Sequence, residues 1–227
     1  MPERETRAFW LYRRLLAEYG PQGWWPTLDK GGNCVYHAGV HSIPRIERER
    51  VQIVVGALLA TNTNWRNASS ALKNLHSARK LSLASLASVT LPTLARIIRP
   101  SGYFNQKALR LKSFAKYVCG NYGCSLGTMF SGKAAPALRA ELLSLHGVGP
   151  ETADSILLYA ARRPSFVVDA YTFRLNDRLG LCRLKAKSHE KRYAELQEYF
   201  ESNLPKSVPL YNEFHALIVE WGKRNSS

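Results

Sequence analysis

The spacing of apolar residues predicts helices along most of the chain. Trp10, Leu11, Leu15, Leu16 and Tyr19 recur at three- and four-residue intervals, which is the period of one helix face. The sequence "GPQG" ends this first helix, and a long loop is predicted from residue 21 to about residue 44. The strongly apolar segment at residues 51–59 is too long for a typical strand, so it predicts a buried helix.

Nine further helices are predicted after this buried one. Thr63 and Asn64 are candidate N-caps for the first of the nine, whose apolar face carries Ala68, Ala71 and Leu72. The others are predicted at residues 83–87, 91–98, 106–118, 136–145, 151–162, 170–179, 189–202 and 210–223. Residues 166–168 resemble a short strand, and "NYGCSLGTMFSGKAAP" predicts a loop. The pattern therefore predicts an all-α fold without internal repeats.

Composition and charge indicate a globular protein that binds nucleic acid. The 227 residues are 45% hydrophobic, enough for one domain or two compact lobes. Lys and Arg number 32 against 17 Asp and Glu, and the excess is spread along the chain. Such a surface attracts DNA or RNA, although a basic protein without such a partner stays an alternative. No run of eighteen apolar residues occurs and "MPERETRAFW" lacks a signal-peptide core, so an intracellular protein without a membrane partner is predicted.

The four cysteines predict no metal site. Cys34, Cys119, Cys124 and Cys182 lack both the spacing of a disulfide framework and that of a zinc ribbon, so we expect small buried apolar residues. The segment "CVYHAGVH" combines Cys34 with His37 and His41, but it offers three ligands where structural zinc takes four.

The sequence "LHGVGPETA" predicts two helices joined by a tight glycine corner. Gly147 or Gly149 allows a positive φ, and Pro150 with Glu151 suits the first turn of the next helix. Backbone N–H groups at such a corner can bind a phosphate oxygen, so the pair of helices could hold a DNA backbone. An ordinary turn between two helices is the alternative.

Three motifs in order resemble the endonuclease III family of helix-hairpin-helix DNA glycosylases. They are "GYFNQKALRL", "LHGVGPETADSILLYA" and "FVVDAYTFRL", and the similarity extends over most of the chain from about residue 51. The resemblance implies a two-lobed helical fold with the active site in the groove between the lobes. Residues 45–163 would form the central lobe ending in the hairpin, and residues 1–44 with 164–227 would form the other.

The resemblance also implies which residues contact DNA. Asp169 would be the catalytic carboxylate that stabilises the sugar cation as the N-glycosidic bond breaks. Its alternative role, as N-cap of the helix at residues 170–179, is compatible with catalysis. Asp154 is expected to be only a first-turn acid facing the helix dipole. The hairpin residues implied at the DNA backbone are His146, Gly147, Val148, Gly149, Glu151 and Thr152, and a monovalent cation could bind at this corner.

Departures from the family pattern predict a monofunctional enzyme. Relatives that also nick the strand carry a lysine at the position of Glu151, where its amine forms a Schiff base. We therefore expect no AP lyase activity unless another lysine reaches the site, with Lys107 and Lys223 as candidates. Many relatives bind an iron-sulfur cluster through four C-terminal cysteines, but no cysteine follows Cys182, so no cofactor is expected.

The base pocket is implied by similarity to the cluster-free branch typified by 3-methyladenine DNA glycosylase III. The segments "GPQGWWP" and "NTNW" carry this similarity, with Trp25 and Trp65 stacking on both faces of the base and Trp24 and Pro26 shaping the wall. Electron-rich indoles would select a cationic alkylated purine. Trp24 could equally be a core residue.

Two positions differ from this branch. Thr61 replaces the glutamine that relatives insert into the duplex, so Thr61 and Asn62 are weak wedge candidates. Leu217 replaces a pocket lysine, which predicts a more apolar pocket.

Together these observations predict a monomeric base-excision repair glycosylase that acts on double-stranded DNA containing a damaged base, with an alkylated purine such as 3-methyladenine as the expected substrate. One alternative is a glycosylase for oxidised, deaminated or mismatched bases, with or without AP lyase activity. Another is a non-catalytic helix-hairpin-helix DNA-binding protein, which the short Thr61 favours and Asp169 disfavours.

Overall fold

The computed structural model describes residues 5–225, so the first four residues of "MPERETRAFW" and the last two of "WGKRNSS" lie outside it. The described part consists mainly of helices and has only two strands of two residues each, which confirms the all-α prediction. Its helices are α1 Arg7–Tyr19, α2 Glu47–Ala60, α3 Trp65–Ser77, α4 Leu83–Ser88, α5 Leu91–Ile97, α6 Phe104–Tyr122, α7 Leu126–Phe130, α8 Ala135–Ser144, α9 Pro150–Ser155, α10 Ala170–Leu179, α11 His189–Asn203 and α12 Val208–Arg224, with a 3-10 turn at Arg99–Ser101 and a π-helix at Ile156–Ala160.

Helix α2 is the centre of the core, as the apolar segment predicted. Nine consecutive residues, from Val51 to Leu59, are buried. The next helix begins where its cap was predicted, because the Asn64 side chain accepts a hydrogen bond from the Asn67 backbone N–H. None of the described helices is long and apolar enough to cross a bilayer.

The structure differs from the prediction in four short segments. Strands β1 Thr27–Leu28 and β2 Cys34–Val35 pair antiparallel inside the predicted loop. Helix α7 lies in the second predicted loop, where the Glu47 carboxylate accepts the Leu126 and Gly127 backbone N–H groups. Residues 166–168 have no regular secondary structure and pair with no strand. The helix predicted at residues 151–162 changes from α9 into the π-helix at Ile156.

The helices contact one another in two groups. One group contains α2 to α7, and the other contains α1, α10, α11 and α12. The π-helix touches α2, α8, α9 and α12, so it lies where the groups meet. The lobe boundaries at residues 44/45 and 163/164 stay a prediction.

Asp154 is the acceptor in a buried hydrogen-bond network rather than the first-turn acid that was expected. Its side chain is fully buried and accepts two hydrogen bonds from the Arg139 guanidinium, at 2.8 and 2.9 Å. Ser165 donates to the same carboxylate at 2.7 Å and Tyr193 at 2.8 Å. Because Asp154 lies five residues into α9, its carboxylate faces these partners on α8 and α11 instead of the free N–H groups of the first turn.

The prediction of four buried cysteines is wrong. Cys119 and Cys124 form a disulfide that joins the end of α6 to the turn after it. Cys34 and Cys182 are free thiols, and all four residues are partly exposed because they lie near the ends of elements or in loops.

Candidate active site

A cavity of about 370 Å³ opens where the turn after α2 faces α9, α10 and α12. The side chains around it include three indoles, two carboxylates, two cations and one imidazole. They are Trp24, Trp25, Trp65, Glu151, Asp169, Arg174, Lys223 and His215. Sequence positions from both ends and the middle of the chain therefore meet in one cavity.

Asp169 lies at this cavity as the N-cap of α10. Its Oδ1 accepts hydrogen bonds from the Thr172 backbone N–H at 2.8 Å and from the Thr172 hydroxyl at 2.9 Å. Thr172 Oγ1 in turn accepts from the Asp169 N–H, at 3.3 Å. This reciprocal cap fixes the carboxylate and leaves Oδ2 facing the imidazole of His215, whose Nε2 is 3.6 Å away.

The environment of Asp169 keeps its carboxylate ionised. Burial alone would raise its pKa, but the neighbouring His215 ring and the two Thr172 donors outweigh burial and hold the pKa below its usual value. A buried carboxylate that stays charged is suited to stabilising a nearby cation.

His215 comes from α12 and has only one of its two ring nitrogens paired. Nδ1 lies 2.6 Å from the Tyr159 hydroxyl, and the Asn212 carbonyl oxygen lies 3.4 Å from the same hydroxyl. Nε2 is buried and has no hydrogen-bond partner, since 3.6 Å to Asp169 is too long for one. Burial, followed by the nearby Asp169 and Glu213 carboxylates, raises the pKa of Tyr159, so the phenol stays neutral.

Glu151 has the opposite character from Asp169. It lines the same cavity from the first turn of α9, and the residue is exposed to solvent. Desolvation of the carboxyl and repulsion by Asp169 raise its pKa to about 7, against a smaller effect from His215. The cavity thus holds two acids whose pKa values are shifted in opposite directions.

The three indoles form one wall, but they do not form the parallel pair that was expected. The Trp25 and Trp65 ring centroids are 5.3 Å apart at an interplanar angle of 85°, in edge-to-face contact. A base stacked between two rings needs parallel faces about 7 Å apart, two contacts of about 3.5 Å each. Trp24 contacts both rings, whereas Pro26 is buried and is not among the residues that line the cavity.

Two features outside the cavity hold this wall in place. Gly56 of α2 makes room for Trp25, because a Cβ there would lie 2.9 Å from the indole Nε1. The buried Glu213 carboxylate of α12 accepts the Gln22 backbone N–H. This bond fixes the start of the loop that carries Trp24 and Trp25, which we call the tryptophan loop.

The two wedge candidates have different positions. Thr61 follows α2, and its hydroxyl donates back to the Leu58 carbonyl oxygen at 3.1 Å. Asn62 is exposed, has a φ of 53° and lies at the rim of the cavity. Asn62 is therefore the one of the pair whose side chain can face a ligand.

The glycine corner has the predicted form. Gly147 has a φ of 77°, and a Cβ there would lie 2.5 Å from Arg110 Nε, so only glycine fits. Gly149 has a φ of −93° and is the N-cap of α9, which begins at Pro150 as predicted. Val148 is buried between them. Glu151 and Thr152 reach the cavity, whereas residues 146–149 do not line it. A monovalent cation at this corner stays a prediction.

Of the two candidate lysines, only Lys223 reaches the cavity. Lys107 is buried away from the cavity, where its amine donates to the Leu59 and Ser101 carbonyl oxygens at 2.9 and 2.6 Å. Burial and Arg110 lower its pKa to about 8. Lys223 lines the cavity, with Nζ 5.8 Å from the Trp24 ring centroid. Leu217 is in the core, so its substitution does not make the cavity more apolar.

His215 and Tyr159 are the site residues that the sequence did not reveal. Both lie on helices whose apolar spacing indicates only core packing. Among residues 5–225, no group of three or more His, Cys, Asp or Glu side chains is arranged to hold a metal. His37, one of the ligands considered from the sequence, instead hydrogen-bonds with the Thr27 hydroxyl at 2.9 Å.

An enzyme that removes a base from DNA needs an element that holds the backbone without reading sequence, a cavity for the base and a charge that stabilises the sugar cation. An all-α fold that places a glycine-cornered pair of helices beside a cavity with a carboxylate is typical of the helix-hairpin-helix class of DNA glycosylases. The model of the HhH-GPD superfamily of base excision DNA repair proteins matches residues 55–202, and the chain belongs to this superfamily.

Individual relatives agree with this assignment. The chain is 44% identical over 214 residues to the "Putative DNA repair glycosylase" of Methanocaldococcus jannaschii, covering 94% of this chain and 86% of the relative. It is 28% identical over 187 residues to endonuclease III of Thermotoga maritima, covering 82% and 79%. The crystal structure of H. pylori 3-methyladenine DNA glycosylase bound to 1,N6-ethenoadenine superposes with a TM-score of 0.72 and 26% identity, over 96% of this chain and 97% of that one.

Proposed function

We propose that this glycosylase is monofunctional and hydrolyses the N-glycosidic bond of an alkylated purine flipped out of double-stranded DNA. The observation that carries the proposal is the pair of carboxylates in the cavity, with a charged Asp169 and with Glu151 in place of a nucleophilic lysine. The cavity volume of about 370 Å³ is within the ~300–1,000 Å³ of typical ligand pockets.

Asp169 is the residue that acts on the sugar. As the bond to the base breaks, positive charge develops on the ring, and the fixed carboxylate of Asp169 stabilises it. The two Thr172 donors hold the carboxylate in place before the reaction, so little reorganisation is needed.

The residue that follows the hairpin corner supports hydrolysis without strand cleavage. Glu151 has no amine that could form a Schiff base. An iron-sulfur cluster of four thiolates does not fit, because two of the four cysteines are joined in the Cys119–Cys124 disulfide. We therefore propose an enzyme without a cofactor.

The aromatic wall supports an alkylated purine as the substrate. Three indoles meet at one side of the cavity, and their electron-rich faces attract a cationic base. The relative from H. pylori, which is named for 3-methyladenine, is bound to 1,N6-ethenoadenine, another modified purine.

Binding of the duplex itself would use the hairpin and the basic surface. The hairpin residues are His146, Gly147, Val148, Gly149, Glu151 and Thr152, and Arg110 lies against Gly147. The formal net charge of +15 favours the phosphate backbone, and Asn62 at the cavity rim could fill the space left by the base.

The test is single-turnover excision from duplexes that each carry one lesion, with and without hot alkali. The wild type should release 3-methyladenine or 1,N6-ethenoadenine and leave strands that break only in alkali. Asp169→Asn keeps a capping amide but removes the charge, so excision should fall by at least about 100-fold while DNA affinity stays within about threefold. Excision by the variant at the normal rate would place the chemistry elsewhere.

A second candidate is a glycosylase for neutral oxidised or deaminated bases. Lys223 favours it, because its ammonium group at the cavity wall repels a cationic base and can donate to a carbonyl oxygen. Its amine is also the one that could form a Schiff base with the sugar. Duplexes with uracil, hypoxanthine or 8-oxoguanine in the same panel, with Lys223→Met as variant, distinguish the two candidates.

A further inference from the structure

The carboxyl group of Glu151 lies in the cavity, and the proposed reaction gives it no step. Glu151 follows the glycine corner in the first turn of α9, and the residue is exposed. Asp169 borders the same cavity from α10, with a side chain that is only 13% exposed. Two acids on different elements therefore border the space for a flipped nucleotide, and Glu151 is the one that solvent reaches more readily.

The two carboxyl groups differ in the partners that hold them. Oδ1 of Asp169 accepts two hydrogen bonds from Thr172, at 2.8 and 2.9 Å, and Oδ2 faces the His215 ring at 3.6 Å. Within residues 5–225, no donor hydrogen-bonds to the Glu151 carboxyl. Its oxygens can therefore accept a hydrogen bond from a water molecule, which takes up only about 30 Å³ of the cavity.

The two acids also differ as proton acceptors. Burial would raise the pKa of Asp169, but His215 and Thr172 outweigh burial and keep it low, so Asp169 is a weak base that stays charged. Burial and repulsion by Asp169 raise the pKa of Glu151 to about 7, against a smaller effect from His215. Because a general base is most effective when its pKa is near the operating pH, Glu151 is the better acceptor of a proton.

From these positions we propose that Glu151 binds the hydrolytic water and accepts its proton, while Asp169 stabilises the sugar cation. This inference rests on the proposed hydrolytic function. The glycosidic bond breaks with its electron pair leaving on the base, so a cationic alkylated purine departs neutral. The water oxygen forms the new bond to C1′ of the sugar, and the proton that it releases moves to a carboxylate oxygen of Glu151.

The charge of Asp169 favours this proton transfer once the water has added. While the sugar is a cation, it attracts both carboxylates and keeps Glu151 ionised. When the new bond to C1′ neutralises the sugar, Asp169 repels the second negative charge, and protonation of Glu151 ends this repulsion. Separate roles for two neighbouring acids are common in the hydrolysis of glycosidic bonds.

The experiment measures single-turnover excision between pH 5 and 9, on the lesion that the wild type releases fastest. Glu151→Gln keeps the size of the side chain and removes the base. It should lower the rate at pH 8 by about 100-fold or more, the effect of a general base, while affinity for a duplex with an abasic-site analogue stays within about threefold. Glu190→Gln, on the exposed start of α11, is the matched control and should excise normally.

The pH profile distinguishes Glu151 from the other groups around it. The titratable or charged groups near Glu151 are Asp169, Tyr171 and Arg174 on α10, His215 and Lys223 on α12, Tyr159 on the π-helix, and Arg139 on α8 with Tyr193 on α11, both bound to Asp154. The wild-type rate should fall below about pH 7, where Glu151 is protonated, and this acid limb should be absent from Glu151→Gln.

Three pH profiles would overturn the proposal. An acid limb that persists in Glu151→Gln would belong to another group of this set. A wild-type rate that is flat between pH 5 and 7.5 would mean that no base titrates during excision, whether or not the variants fold. A wild-type rate that falls on the alkaline side, but not in Glu151→Gln, would mean that Glu151 donates a proton instead of accepting one.

Glu151→Ala separates catalysis from structure. The variant opens space for a small carboxylate, so its rate should rise with added formate, compared with sodium chloride at the same ionic strength. Formate can replace a missing base but cannot restore a contact that only holds the fold. Absence of rescue, or a Glu151→Gln rate within about threefold of wild type, would contradict the proposal. A wild type that releases none of the lesions would instead contradict the proposed function, and this inference with it.

Discussion

Two acids in the same cavity have pKa values shifted in opposite directions because their surroundings differ. Asp169 has two Thr172 donors and the His215 ring beside it, which keep its pKa low. Glu151 has no such donors close by and is repelled by Asp169, which raises its pKa to about 7. Environments that separate the pKa values of neighbouring acids are typical of catalytic sites.

Replacement of Glu151 by lysine tests the division between hydrolysis and strand cleavage. The variant places an amine where strand-nicking relatives carry theirs, so we expect Glu151→Lys to gain a detectable covalent adduct with abasic DNA in borohydride. The wild type should give none. Efficient trapping by the wild type would assign AP lyase activity to it. If that trapping is lost in Lys223→Met, Lys223 supplies the amine that forms the adduct.

The raised pKa of Glu151 also predicts how stability depends on pH. Between about pH 4.5 and pH 7 the folded state binds more protons at this residue than the unfolded state. The free energy of unfolding therefore falls as pH rises through this window. Glu151→Gln should reduce the difference in Tm between pH 5 and pH 7.5, measured by thermal denaturation. The exposed Glu190→Gln is the control, and an unchanged difference in Glu151→Gln would show that the carboxyl titrates normally.

Single residues were predictable where a local motif surrounds them. The hairpin and the segment "FVVDAYTFRL" identified Asp169, Glu151 and the corner at Gly147 from the sequence. His215 had no such signal, since its importance depends on Tyr159 and Asp169, which are 56 and 46 positions away in sequence. The ring angles of the tryptophan wall likewise depend on Gly56 and Glu213, which belong to two other helices.

Among the elements, α8, α9 and α11 are joined by one buried carboxylate. Asp154→Asn removes the charge that two Arg139 donors share and disturbs the bonds to Ser165 and Tyr193. Because breaking a buried ion pair costs about 3–5 kcal/mol and Arg139 is partly exposed, we expect a loss of about 3 kcal/mol in the free energy of unfolding.

Urea denaturation of Asp154→Asn beside Asp177→Asn provides the measurement. Asp177 is exposed on α10, so its replacement should change stability by less than about 0.5 kcal/mol. Equal stability of the two variants would mean that Asp154 does not join these helices.

Helices with a long apolar face were predicted well, and elements that depend on distant contacts were not. Helix α2 could be predicted from its own apolar residues alone. Helix α7 depends on Glu47, which is about 80 residues earlier, to bind its first N–H groups. Residues 166–168 have strand-like composition, but α11 side chains satisfy their backbone: Gln197 donates to the Phe166 carbonyl oxygen and Glu201 accepts the Phe166 N–H.

At the scale of the whole molecule, the positive charge predicts how DNA affinity responds to salt. With a formal charge of +15 and about four phosphate contacts, affinity for undamaged duplex should fall about 100-fold between 50 and 200 mM salt, as counterions are released. Fluorescence anisotropy on a labelled duplex at several salt concentrations measures this. A nearly flat dependence would show that phosphate contacts contribute little.

The link between Gln22 and Glu213 has a consequence for biosynthesis. The tryptophan loop is translated early, but its partner on α12 follows about 190 residues later, roughly 10–40 s at usual ribosome speeds. Before α12 emerges, the nascent chain already contains the hairpin, while the cavity still lacks His215 and Lys223. The cavity is therefore completed only when α12 has been synthesised.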